Sequence, residues 1–173
     1  MSVRHSLLAI LDDAPTHGYG LKSAFERTTG GAWPLNVGQV YTTLGRLERD
    51  GLVESVGADD RARQTWRITR EGRAALASWY DTPVIDDPPS RDELALKVLL
   101  AVAADDSDVS AVLRAQRGAT LERLQRDTRR LQHADPATEL SWILLLDLMI
   151  LKAEAEIRWL DRCEERLRER SSR

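Results

Sequence analysis

The sequence predicts a mainly α-helical chain in two parts, the first of them containing a small β-hairpin. Three observations carry that prediction. Apolar residues recur at helical spacing through most of the 173 residues. Two short segments, 52–56 and 65–69, break that period, and the second alternates Trp66 and Ile68 with Thr65, Arg67 and Thr69. The stretch DTPVIDDPPS, 81–90, sets three prolines among three aspartates, so no regular period survives it. It reads as a linker between an N-terminal domain, 1–80, and a C-terminal domain, 91–173.

In the first helix Val3, Leu7, Ile10 and Leu11 share one face. Pro15 and Gly18 mark the turn into a second helix carrying Leu21, Ala24 and Phe25, and TTGGAWP at 28–34 breaks the chain again. A third helix starts near Asn36, which can cap it while Gln39 reaches back, and Gly51 ends it. The hairpin follows around the polar loop GADDRARQ, and Thr69 can cap a fourth helix running to Trp79 and Tyr80. Beyond the linker, Ser90 with Glu93 forms a second capping box before LALKVLLAVAA, which is apolar on nearly every side and should be buried. Asp106 or Ser107 can start a long helix, and a last helix starts near Ala137. It repeats at four-three spacing through Trp142, Leu146, Met149, Ala153, Glu156, Leu160, Cys163 and Leu167, with only Glu156 polar.

Composition excludes several classes. The apolar run from Trp142 to Leu151 is half of what a bilayer span needs, and Asp147 interrupts it, so no membrane segment and a cytoplasmic location are expected. One cysteine, Cys163, excludes an intrachain disulfide, and its place on the apolar stripe fits an inert thiol. No phosphate-cradling glycine loop, metal-ligand cluster or Ser/His/Asp set appears, so neither an enzyme nor a metal or cofactor is expected. His5, His17 and His133 fall on separate elements.

The net charge of −3 argues against bulk coating of nucleic acid, so any such binding needs a local patch. Three helices followed by a hairpin give the winged helix-turn-helix order with a two-stranded wing, in which the third helix enters the major groove. At 100° per residue, Val37, Val40, Leu44 and Leu47 cluster on one side of it. Gly38, Thr42, Gly45 and Arg49 point the other way, flanked by Gln39 and Arg46. Glycines in an exposed helix face signal a surface that must come close to the backbone. Gln39 suits an adenine edge, Arg46 a guanine or phosphate, and Thr42 and Thr43 a thymine methyl or phosphate oxygen. Arg61, Arg63 and Gln64 at the hairpin tip suit phosphates or the minor groove. At the start of the second helix His17 and Tyr19, with Lys22 one turn on, suit an anion, although His17 equally suits a cap. Asn36 completes the set of candidate DNA contacts. The bland reading of the third helix is a solvated face, and the rival class is a winged helix used only for protein contacts.

The stretch HGYGLKSAFERTTGGAWPLNVGQVYTTLGRLERDGLVES, with the hairpin and ITREGR, resembles the PadR family of bacterial transcriptional regulators. The C-terminal EAEIRWLDRCEERL resembles its larger subfamily, with a multi-helix dimerisation domain. The resemblance implies a winged helix that reads an operator palindrome, DNA contact by Gln39, Tyr41, Thr42 and Arg46, and C-terminal helices that pair two chains. It supplies no effector. A two-fold dimer is expected through Trp142, Leu146, Met149, Ile150, Ile157 and Leu160 of the last helix. A small aromatic effector is expected near Trp79, Tyr80 and Trp142, although the five tryptophans fit packing better than ligand stacking.

Overall fold

The computed structural model describes residues 3–58, 62–85, 92–104 and 108–171. In chain order the elements are α1 (Val3–Asp13), β1 (Thr16–His17), α2 (Gly18–Thr28), α3 (Val37–Arg49), β2 (Val53–Ala58), β3 (Gln64–Ile68) and α4 (Arg70–Asp81). Then come α5 (Glu93–Ala103), α6 (Val109–His133) and α7 (Leu140–Ser171). The chain divides into two compact units, residues 1–85 and 86–173.

In the first unit, Leu7, Leu8 and Leu11 of α1 meet Leu21 and Phe25 of α2, Val40, Leu44 and Leu47 of α3, and Leu76 of α4. Trp66 and Ile68 enter the same core from β3, the buried face that their alternation predicts. The sheet has three strands, in antiparallel order β1-β3-β2, rather than the two of the expected hairpin. Thr16 pairs with Trp66 and His17 with Thr65. Two residues are too few to show a period, which is why β1 was not legible.

On the other side Val53 faces Ile68 and Glu54 faces Arg67, and a bulge between Ser55 and Ala58 carries β2 beyond the expected end at Val56. Gly57 sits in the bulge at φ +106°, where a side chain would strain the backbone. Thr69 caps α4 as expected, its hydroxyl accepting from Gly72 N at 3.0 Å. A Cβ at Gly72 would come within 2.1 Å of the Leu52 carbonyl, so glycine there lets α4 lie directly on the chain entering β2.

Three expected helix starts move. Asp92, not Ser90, caps α5 by accepting from Ala95 N at 2.8 Å, and Asp108, not Asp106 or Ser107, caps α6 through Ala111 N. Ser90, Asp106 and Ser107 lie outside the described residues. The last helix begins at Leu140 rather than near Ala137, because Asp135 folds 135–138 into a turn by accepting from Ala137 N and the Thr138 hydroxyl.

The burial expected for α5 is also corrected. Within the chain only Val98 is buried, against Leu113 and Leu160, while Leu96, Leu99, Leu100 and Val102 are exposed. Two helices, α6 and α7, can cover one face of a helix that is apolar all round, and no more.

The pairing of α6 with α7 contains a polar seam. Glu156 Oε1 accepts from Gln116 at 2.8 Å and from the Thr120 hydroxyl, and Oε2 accepts from Arg123 at 2.8 Å. Burial raises the Glu156 carboxyl, but these three donors outweigh it and hold the group below the ordinary glutamate value. Cys163 packs beside the Val98 cluster, and burial raises its thiol pKa against the opposing effect of Arg166, in keeping with an inert thiol.

Candidate nucleic-acid interface

The third helix is built as its period predicts. Val40, Leu44 and Leu47 are buried, and Gly38, Gln39, Tyr41, Thr42, Gly45, Arg46 and Arg49 form a continuous exposed face. Asn36 ends the preceding turn by accepting from Gly38 N at 2.7 Å, so its carboxamide oxygen is committed to the helix start. The Thr43 hydroxyl donates to the Gln39 carbonyl at 2.7 Å, which ties it to its own helix, and Thr42 stands exposed one position earlier.

Polar contacts link both ends of this helix to its neighbours. At its C-terminal end Arg4 Nη1 of α1 meets Asp50 at 2.7 Å, and that hydrogen bond holds the Asp50 carboxyl below its usual value. At its N-terminal end Lys22 and Glu26 pair at 3.0 Å on α2, and Glu26 accepts from Leu35 N at 3.4 Å in the segment that enters α3. The hydrogen bond from Lys22 is the largest influence lowering the Glu26 carboxyl. Lys22, a candidate phosphate contact, is thus engaged within the protein.

At the start of α2 the His17 side chain caps the helix, Nδ1 accepting from Gly20 N at 2.9 Å. Gly18 has a role that sequence reasoning took only for a turn. A Cβ there would lie 2.6 Å from the Tyr41 ring, so glycine lets α2 seat directly against α3. Tyr19 then meets Tyr41 edge-on, ring centres 6.5 Å apart, and both phenols remain substantially exposed. The His-Gly-Tyr segment and the third helix therefore make one surface. The signal was a glycine between two aromatic-capable residues, but its partner Tyr41 is distant in sequence.

On the wing, Gln64 donates to the Ser55 hydroxyl at 3.1 Å, and Arg67 pairs with Glu54 across the strands at 2.7 Å. Arg63 is half-buried at the base of the loop, and Arg61 lies outside the described residues.

Of the remaining candidates, Trp79 stacks on His5 with ring centres 5.0 Å apart and planes 3° from parallel, and Tyr80 tilts against Trp79. Burial, with the Arg4 charge, lowers the His5 imidazole pKa. Trp142 is half-buried near the start of α7 in the second unit. Leu146 and Leu160 are wholly buried by their own chain, and Trp142, Met149, Ile150 and Ile157 are partly covered. A different stripe of α7, Leu140, Leu144, Leu148 and Leu151, is exposed. Its four-four-three spacing was present in the sequence and was masked by the longer stripe beside it. Among the described residues no cluster of His, Cys, Asp or Glu could hold a metal ion, and no helix is long and apolar enough to cross a membrane.

Comparison with known proteins bears on this surface. The sequence pattern described as "Transcriptional regulator PadR-like family" matches residues 7–78, and that described as "Virulence activator alpha C-term" matches residues 90–168. The chain is 30% identical to the probable transcriptional regulator Rv1176c of Mycobacterium tuberculosis, over 98% of this chain and 100% of the relative. Its fold is similar to that of Bacillus subtilis PadR in complex with operator DNA, at TM-score 0.70 and 18% identity over 92% of this chain and 94% of that one. It is equally similar to the Vibrio cholerae virulence activator AphA, at TM-score 0.69 and 24% identity over 96% and 98% of the two chains.

Proposed function

This chain belongs to the PadR-like family of transcriptional regulators, and we propose that it is a sequence-specific DNA-binding repressor, acting as a homodimer and released by a small-molecule effector. The observation that carries this reading is the exposed face of α3, small and polar from Gly38 to Arg49, standing over a fully buried leucine and valine stripe. In this reading Gln39, Thr42 and Arg46 read base edges in the major groove. Tyr19 and Tyr41 flank them, and the start of α2 with His17 and Lys22, and the wing with Arg61, Arg63 and Gln64, meet the backbone. The similar Bacillus subtilis PadR has been seen with operator DNA and, separately, with p-coumaric acid, which supports both the DNA and the effector parts.

The dimer reading rests on the leucines left uncovered on α5 and α7, because exposed apolar surface of that extent marks an interface. A two-fold dimer sets its recognition helices about 34 Å apart and asks for an inverted repeat. Selection of genomic fragments by the purified full-length protein, followed by titration of the recovered sequence at several salt concentrations, tests the whole reading. A recovered inverted repeat, bound with steeply salt-dependent affinity, is expected. Fragments without a common sequence, or affinity indifferent to salt, would favour a winged helix that contacts only protein.

A further inference from the structure

The second unit carries an open cavity of about 670 Å³, within the range of small-molecule sites, between the first turn of α5 and the facing surfaces of α6 and α7. Lys152, Glu156 and Trp159 line it from α7, Gln116 and Arg123 from α6, and Glu93 from α5. The three α7 residues stand at i, i+4 and i+7 and so share one helix face, with Lys152 and Trp159 about 10 Å apart along the axis.

The charges of this lining can be separated by what already holds them. Glu156 is satisfied by Gln116, Thr120 and Arg123, and Arg123 is thereby neutralised. Asp92, also at the rim, is committed to capping α5. Among the described residues, the side chains of Glu93 and Lys152 have neither an ion-pair nor a hydrogen-bond partner. The cavity therefore presents two carboxylates without a cation partner, Glu93 and the α5 cap Asp92, one unmatched ammonium and the ring of Trp159. A purely anionic ligand leaves Glu93 opposed to it, and a purely cationic one leaves Lys152 opposed. A ligand carrying both charges satisfies both.

We propose that this cavity binds a free aromatic α-amino acid in its zwitterionic form, the ring against Trp159, the carboxylate at Lys152 and the ammonium at Glu93. Such a ligand also sits beside Gln116 and Arg123, the donors that hold Glu156, so occupancy is coupled to the seam that pairs α6 with α7. The binding site stands on the cavity alone, and only its use as the effector site rests on the repressor reading.

The test is calorimetric titration of the full-length protein with three probes that share one ring: L-tryptophan, N-acetyl-L-tryptophan and L-tryptophan methyl ester. The free amino acid should bind at one per chain, and each blocked form at least tenfold more weakly. Lys152→Met should erase the discrimination against the methyl ester, and Glu93→Gln the discrimination against the N-acetyl form. Both positions are solvent-exposed, and circular dichroism checks that the variants fold. No heat from any probe, blocked forms that bind as tightly as the amino acid, or discrimination unchanged in the variants would each overturn the proposal. Operator titration of the same preparations keeps the two readings apart. Binding of the amino acid without binding of DNA removes the repressor reading and leaves the site standing, and the converse removes the site alone.

Discussion

Gly45→Ala separates two quantities that most interface substitutions confound. Gly45 lies in the middle of α3 on its exposed face, and a Cβ built there meets nothing within 4 Å. In the free protein the substitution is therefore sterically silent, and only helix propensity acts. Alanine is favoured over glycine in a helix interior by about 0.5–1 kcal/mol. For a unit of this size that raises the melting temperature by roughly 2–8 °C. If the groove floor packs against the helix backbone, the same methyl group occupies space that DNA needs. A tenfold loss of affinity corresponds to about 1.4 kcal/mol, and a loss of at least that size is expected.

The two effects have opposite signs, so general damage to the fold cannot imitate the result. Differential scanning calorimetry reads the first and fluorescence anisotropy with the selected operator reads the second. Gly118→Ala supplies the control, because Gly118 is exposed on α6 and its Cβ also meets nothing, but it lies in the other unit. It should raise the stability of that unit and leave affinity unchanged. Gly38 is a poorer probe, since its Cβ would press on the Asn36 cap oxygen at 3.1 Å. A stabilised Gly45→Ala protein with wild-type operator affinity would refute the claim that DNA approaches the α3 backbone.

The other expectations are briefer. Arg46→Ala or Gln39→Ala should each cost about 1–3 kcal/mol of specific binding with an unchanged melting temperature, read by competitive anisotropy against scrambled DNA. Leu44→Ala should do the reverse, losing roughly 2–5 kcal/mol of stability in denaturant titration because Leu44 is wholly buried. The Arg61→Ala, Arg63→Ala double variant should weaken all sequences alike and flatten the plot of log affinity against log salt by about one unit per lost phosphate contact. The folded-state pKa of Glu156 is depressed, so its contribution to stability is full above the unfolded glutamate value of 4.5 and is lost as pH falls through the folded one. Acid unfolding of wild type and Glu156→Gln should therefore converge at low pH, and a constant difference between them would contradict the assignment.

Periodicity made the first unit legible because each of its helices buries one stripe and exposes the rest. Leu44 and Leu47 could be placed inside, and Thr42 and Arg46 outside, from angle alone. What periodicity could not supply was anything set by a partner remote in sequence. Gly18 makes sense only once Tyr41 is known to lie on it, and nothing near Lys22 in the sequence shows that its partner Glu26 is shared with the Leu35 amide.

In the second unit the same limit acts on a larger scale. Helix α7 carries two apolar stripes, and sequence spacing cannot say which meets α6. The stripe through Leu146 and Leu160 lies inside the chain, while Leu140, Leu144, Leu148 and Leu151 remain uncovered. Residues chosen as dimer contacts by their apolar regularity thus include those that hold the monomer together, and regularity alone is a poor guide to an interface. Glu156 shows the complementary case. A single acidic residue in the stripe read as a flaw, yet it finds three donors on α6 and, together with Arg117 of α6 paired to Asp161 and Glu164 of α7, favours one register of α6 against α7. A displaced register would bury that carboxylate away from its donors, at the cost of an unpaired buried charge.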